Sequence, residues 1–183
     1  MAEQTIIFGG GCFWCIEAVF NRTSGVKSAI SGYMGGRNPK PTYNQVCGGD
    51  TGHVEVVEVK FDPAEVSLND LLEVFFTVHD PTTPNRQGND VGEQYRSVIF
   101  YHSEEQRRQA EEKIAELTAA KKFPSAIVTS IEPASEFYPA EDYHQEYFDN
   151  NRHQPYCMFV VAPKVEKFEK KFSEKVKAPG GAT

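Results

Sequence analysis

The order of strand and helix signals over about the first hundred residues, β-α-β-β-α-β, predicts an α+β fold: a two-layer split-βαβ (ferredoxin-like) sandwich with C-terminal extensions. Short apolar runs ending in glycine or turn residues alternate with segments whose apolar residues recur at helical spacing. With 183 residues, 39% hydrophobic and 25% charged, the chain has the size and composition of one domain with a sizeable core. Residues 1–183 read as a single domain, with 178–183 as a flexible tail.

Gln4 to Phe8 is a buried strand running into glycines, and Ile16, Val19 and Phe20 give the following helix its core face. Val26 to Tyr33 is the second strand and Val54 to Phe61 the third, its valines alternating down to Phe61. Between them Gly35 to Gly52 is a long loop rich in Gly, Pro and Asn. Ser67 with Asp70 forms a capping box for a helix whose stripe is Leu68, Leu71, Leu72, Phe75 and Phe76. A second long loop, His79 to Tyr95, is polar and without periodicity. Arg96 to Tyr101 is the fourth strand. Ser103 with Gln106 opens a helix on Ala110, Ile114 and Leu117 that ends near Lys121 and Lys122, where cations suit the helix dipole. Ala126 to Ile131 is a further strand, and the apolar run Tyr156 to Val161 reads as another. The tail, Lys164 to Lys177, is a solvated helix with one apolar stripe, Val165, Phe168 and Phe172; an anionic partner is the alternative.

Twenty-six acidic against 19 basic residues leave a net charge of -7, which disfavours nucleic acid or an anionic membrane as a partner. The start, MAEQTIIFGG, lacks a basic region followed by a long apolar one, and no apolar run approaches the roughly 18 residues of a membrane span. A cytoplasmic protein is expected. In that reducing compartment four cysteines point to catalysis or metal binding rather than structural bridges. Zinc would need a second ligand pair, but Cys47 and Cys157 stand singly and His53 lies outside the usual spacings, so no metal is expected.

The chemistry concentrates in Gly9 to Glu17, GGGCFWCIE. Cys12 lies where a glycine-rich turn opens a helix, and the unpaired N–H groups there, with about half a positive charge, are expected to lower its thiol pKa. Cys12 is the candidate nucleophile. Cys12 and Cys15 as small buried core residues is the alternative, and a general dithiol oxidoreductase or a thiol or metal module are the rival functions.

Six segments carry a resemblance: GCFWCIEAVF at 11–20, GYMGG at 32–36, PTYNQVC at 41–47, TGHVEVVEVKFDP at 51–63, HDPTTPNRQGNDVGEQYRS at 79–97 and EDYHQEYF at 141–148. Together the chain resembles an A-type peptide methionine sulfoxide reductase, whose restriction to one sulfoxide epimer is a family property. The resemblance implies one catalytic domain, reduction of methionine S-sulfoxide, free or in oxidised proteins, thioredoxin as reductant, no bound cofactor and a monomer. Sulfoxide has an electrophilic sulfur and a basic oxygen, so its reduction needs a nucleophile on sulfur and an acid on oxygen. Cys12 supplies the first. Glu55, in the H-x-E segment, matches the family's acid, which must sit where burial raises its pKa. Tyr43 and Tyr95 match tyrosines aimed at the sulfoxide oxygen and Asp90 a loop acid, while Phe13 and Trp14 would wall the methyl pocket.

From the residues alone, Glu55 reads as a solvent-facing strand residue, Tyr43 and Tyr95 as loop anchors, and Asp90 as a turn residue. His144 is read as packing and hydrogen bonding. The sulfenic acid left on Cys12 condenses with a second thiol. Cys157 is favoured over Cys15, because neighbours at i and i+3 on a regular helix have Cβ atoms about 5–6 Å apart, beyond the roughly 3.5–4.5 Å of a disulfide. Cys47 is expected to be buried.

Overall fold

The computed structural model describes residues 3–49 and 51–177; the tail expected at 178–183 lies outside them. The chain forms β1 (Gln4–Gly9), α1 (Phe13–Asn21), β2 (Val26–Met34), α2 (Tyr43–Cys47), β3 (Val54–Phe61) and α3 (Leu68–Val78). Two-residue strands β4 (Arg86–Gln87) and β5 (Asp90–Val91) pair as a small hairpin. Then follow β6 (Val98–Tyr101), α4 (Glu104–Ala119), β7 (Ser130–Pro133), β8 (Tyr138–Pro139), α5 (Tyr147–Asn150) and α6 (Ala162–Lys171).

The main sheet has the order β7-β6-β1-β3-β2-β8. Its four central strands, β6-β1-β3-β2, are antiparallel, and with α1 and α3 they make the split-βαβ sandwich that the strand order predicts. β7 extends one edge in parallel with β6, and β8 caps the other beside β2. The larger core lies under the helices and joins Phe8, Phe13, Phe20, Val57, Val59, Phe61, Leu72, Phe75 and Phe168. A smaller one on the opposite face holds Ile7, Met34, Val54, Val56, Val98 and Phe100. Glu55 shares the parity of Val57, Val59 and Phe61, so the two-residue period of β3 sends it to the helix side.

Local signals explain most elements. Ser67 accepts from Asp70 N–H, and Asp70 returns a bond to Ser67 N–H, as predicted. At α4 only half of the expected box forms: Ser103 accepts from Gln106 N–H, but the Gln106 amide accepts from His102 N–H instead. A box legible in the sequence, Thr42 with Gln45, starts α2 inside the loop read as irregular.

Two expectations are corrected. The strand placed at Ala126 to Ile131 begins only at Ser130, because Val128 N–H is drawn to Pro81 C=O before the chain reaches β6. Tyr156 to Val161 is not a strand. Cys157–Val161 is a π-helical turn running into α6, with Cys157 and Val161 buried and Met158 and Phe159 exposed, a helical rather than alternating pattern. Short apolar runs are ambiguous by periodicity, and packing against α1 selects the helix.

Candidate active site

The turn before Cys12 is built by glycine. Gly11 has φ 93°, and a Cβ there would lie 2.7 Å from Gln87 Cγ, so only glycine lets the turn seat against the 79–95 loop. Cys12 follows in an extended conformation, φ -62° and ψ 128°, as the residue that caps α1 rather than part of it. It is 6% exposed.

From β3, Glu55 reaches the first turn of α1, where its Oε1 accepts Phe13 N–H at 3.2 Å. It is 1% exposed and its Oε2 is buried without a partner, so the solvent-facing reading of Glu55 is wrong. Burial outweighs the opposing hydrogen bond from the Phe13 amide and, with smaller contributions from the charges of Asp90 and Cys15, pushes its pKa up to about 8. The carboxyl is neutral at pH 7.

Cys12 departs from the expected low pKa. Burial, then the hydrogen bond with Cys15, then the neighbouring Glu55 hold its thiol well above the ordinary range, and the pull of the Trp14 amide is outweighed. The half charge of a helix end is a smaller effect than removal of a thiolate from water. Cys15 moves the other way, lowered chiefly by the hydrogen bond from Cys12. The first proton lost from the pair therefore comes from Cys15, which is left as a thiolate beside the Cys12 thiol.

Phe13 and Trp14 lie in an aromatic wall. Phe13 is buried against Tyr33, Tyr43 and His144. Trp14 stacks on Tyr147 at 3.8 Å, and its Nε1–H donates to His144 Nδ1 at 3.1 Å. Tyr43, first residue of α2, is held by its backbone N–H on Glu141 Oε2 at 3.0 Å. Tyr95 ends a 3-10 turn, Glu93–Tyr95. Burial, and then the charge of Glu55, raises the pKa of both phenols, so both stay protonated donors. Asp90, on β5, accepts from Tyr156 OH at 2.6 Å.

All five predicted catalytic residues thus converge around the start of α1, with Phe13, Trp14 and Cys15. Cys157 is buried at the π-helical turn, close enough to Cys15 to feel its charge. Cys47 is exposed, against expectation, within hydrogen-bonding reach of Tyr43 and Tyr95, because the short helix α2 turns it outward. Among the described residues no group of three or more His, Cys, Asp or Glu is placed to hold a metal ion.

This arrangement pairs a buried thiol with a neutral carboxyl and phenolic donors beside a wall of aromatic rings. The family described as peptide methionine sulfoxide reductase matches the chain over residues 4–176. The chain belongs to that family. Peptide methionine sulfoxide reductase MsrA of Nautilia profundicola is 58% identical to this reductase over 164 residues, 90% of this chain and 93% of the relative. Among solved structures, the reduced form of Mxr1 from Saccharomyces cerevisiae has a TM-score of 0.78 and 37% identity, covering 85% of this chain and 89% of that one. Mxr1 in complex with Trx2 has a TM-score of 0.55 and 25% identity, covering 79% and 84%.

Sequence reasoning on this reductase passed over Tyr156 and Glu141. Tyr156 bonds Asp90 and meets Trp14 edge-on at 5.6 Å. Its signal was its place immediately before a candidate resolving cysteine. Glu141 accepts from both Tyr33 OH and Tyr43 N–H. His144 packs and hydrogen-bonds as expected.

Proposed function

We propose that this reductase converts methionine (S)-sulfoxide, free or in oxidised proteins, to methionine with Cys12 as nucleophile and Glu55 as acid. The observation that carries the assignment is the buried, unpartnered Oε2 of a carboxyl that is neutral at pH 7. Cys12 sulfur attacks the sulfoxide sulfur while Glu55 protonates the oxygen, assisted by the Tyr43 and Tyr95 hydroxyls. Where Cys15 is ionised, it takes the proton of Cys12 along the hydrogen bond that joins them. The hydroxyl so formed then passes to Cys12 sulfur as the bond between the two sulfurs breaks, so methionine leaves reduced by two electrons and Cys12 is oxidised by two to the sulfenic acid. Asp90, held by Tyr156, orders the loop facing the pocket, and Phe13 and Trp14 receive the methyl group. Donors for the oxygen on one side and rings for the methyl on another distinguish the epimers.

For resolution, the extended conformation of Cys12 removes the objection raised for a regular helix, since Cys12 lies outside it. Cys15 then displaces the sulfenic oxygen as water, forming a Cys12–Cys15 disulfide. Cys157 attacks Cys15 and releases Cys12. A thioredoxin reduces the Cys15–Cys157 bond, a role supported by the Trx2 complex of yeast Mxr1. Action as a monomer in the cytoplasm, away from nucleic acid and membranes, completes the proposal. The net charge of -7 supports it, as do cysteines placed for turnover rather than for structural bridges.

The test is reaction without reductant on pure epimers of a methionine sulfoxide peptide. With excess substrate, up to two methionines per enzyme from the S epimer are expected, the second because Cys12 is released as a free thiol, and none from the R epimer. Equal yields, or none from either, would overturn the assignment.

A further inference from the structure

Glu17 is a buried carboxylic acid that this chemistry does not use. It lies three residues after Trp14 on α1 and is 2% exposed. Both of its oxygens accept the backbone N–H of Glu146, at 2.9 and 3.1 Å. Glu146 has a left-handed backbone, φ 53° and ψ 35°, a conformation that is strained for a residue with a Cβ and persists only where its surroundings hold it.

The neighbours of Glu146 explain the arrangement. His144 accepts from Trp14 Nε1–H, and Tyr147 stacks on the Trp14 ring. Gln145 clamps β2 through Ser31 N–H and C=O. Residues 144 and 147 thus form the outer half of the aromatic wall, and the kink at Glu146 is what lets both face Trp14. The same helix carries Trp14 on one turn and the acceptor for that kink on the next.

We propose that Glu17 is a positioning residue: as a carboxylate it pins the Glu146 kink and thereby holds His144 and Tyr147 against Trp14. The consequence for substrate binding rests on the assignment of Trp14 to the methyl pocket. Burial, then the charges of Glu146 and Asp149, opposed by the Glu146 amide and Ser31, raise the Glu17 pKa to about 7. Asp149 is itself paired with Arg22 and Arg152, and Lys27 and Asp142 line the adjoining cavity. The charged acceptor is present above pH 7 and lost as pH falls through it.

Trp14 is the chain's single tryptophan, so its emission reports the wall directly, without turnover. The reduced protein is titrated from about pH 5.5 to 9 with no substrate. A transition with a midpoint near 7 is expected in the native protein and in Glu55→Gln, and its absence in Glu17→Gln and Glu17→Asp. The aspartate keeps an ionisable carboxyl but falls short of Glu146, so it decides the matter should the glutamine variant fail to fold. Steady-state assays should show KM for a peptide (S)-sulfoxide raised about tenfold in either variant with kcat within about twofold, the pattern of lost ground-state binding. A transition near pH 7 that survives in both variants would assign it to His144 and overturn the proposal. An unchanged KM would do the same. Absence of sulfoxide reduction in the native protein would instead overturn the catalytic assignment and leave the fluorescence result standing.

Discussion

Glu55 Oε1 accepts the Phe13 amide at 3.2 Å, so the carboxyl of β3 and the first turn of α1 form one unit. The bond occupies one oxygen and leaves Oε2, buried and without a partner, as the place for the proton. It also sets the acid beside the residue that follows Cys12, and the charge of Glu55 raises the Cys12 thiol.

The rate of sulfenic acid formation should therefore depend on pH with a definite sign. A carboxyl whose folded pKa is raised to about 8 keeps its proton below that value and loses it above. Single-turnover rates should fall as pH rises through about 8. Glu55→Gln should be slower by about 10²- to 10⁴-fold, the typical worth of a general acid, and lose this fall. A near-native rate in that variant would move the acid to Tyr43 or Tyr95.

Cys12→Ser should abolish reduction of a pure (S)-sulfoxide while leaving the circular dichroism spectrum unchanged. In the native protein the buried thiol should react slowly with iodoacetamide at pH 7, because its pKa lies well above the ordinary thiol value. Rapid alkylation of Cys12 at neutral pH would show that the helix end outweighs burial after all.

The resolving order is read by peptide mapping. After one turnover without reductant, Cys157→Ser should hold a Cys12–Cys15 disulfide, and the native protein should accumulate a Cys15–Cys157 bond. Cys15→Ser should leave Cys12 as a trappable sulfenic acid. A Cys12–Cys157 bond formed at native rate in Cys15→Ser would restore the direct route to Cys157.

Tyr156→Phe removes the 2.6 Å bond to Asp90 and leaves a half-buried carboxyl oxygen short of a donor. A loss of about 1–2 kcal/mol in unfolding free energy is expected, measured by urea denaturation. Asp90→Asn, which keeps an acceptor, should cost less. Equal losses would mean that the bond contributes nothing beyond packing.

The sequence alone determined the parts of this protein that depend on neighbours along the chain. Glycines before Cys12, the Ser67–Asp70 box, the stripe of α3 and the alternation of β3 all act within a few residues, and the strand order they define already implies the sandwich. The motif residues were legible too, because six local patterns resemble one family. Tertiary structure decided what these residues are like. Glu55 is 42 positions from Phe13, Trp14 130 from His144, and Tyr156 66 from Asp90. Alternation in β3 could not say which face meets the helices, so the same Glu55 read as solvent-facing. The sign of the Cys12 shift turned on burial, which distant segments supply together, against a helix end that the local sequence displays. The five-residue apolar run at Cys157 became a π-helical turn rather than a strand because α1 offered it a packing surface. Local order follows from spacing along the chain, whereas desolvation and hydrogen-bond pairing are sums over what the fold brings near.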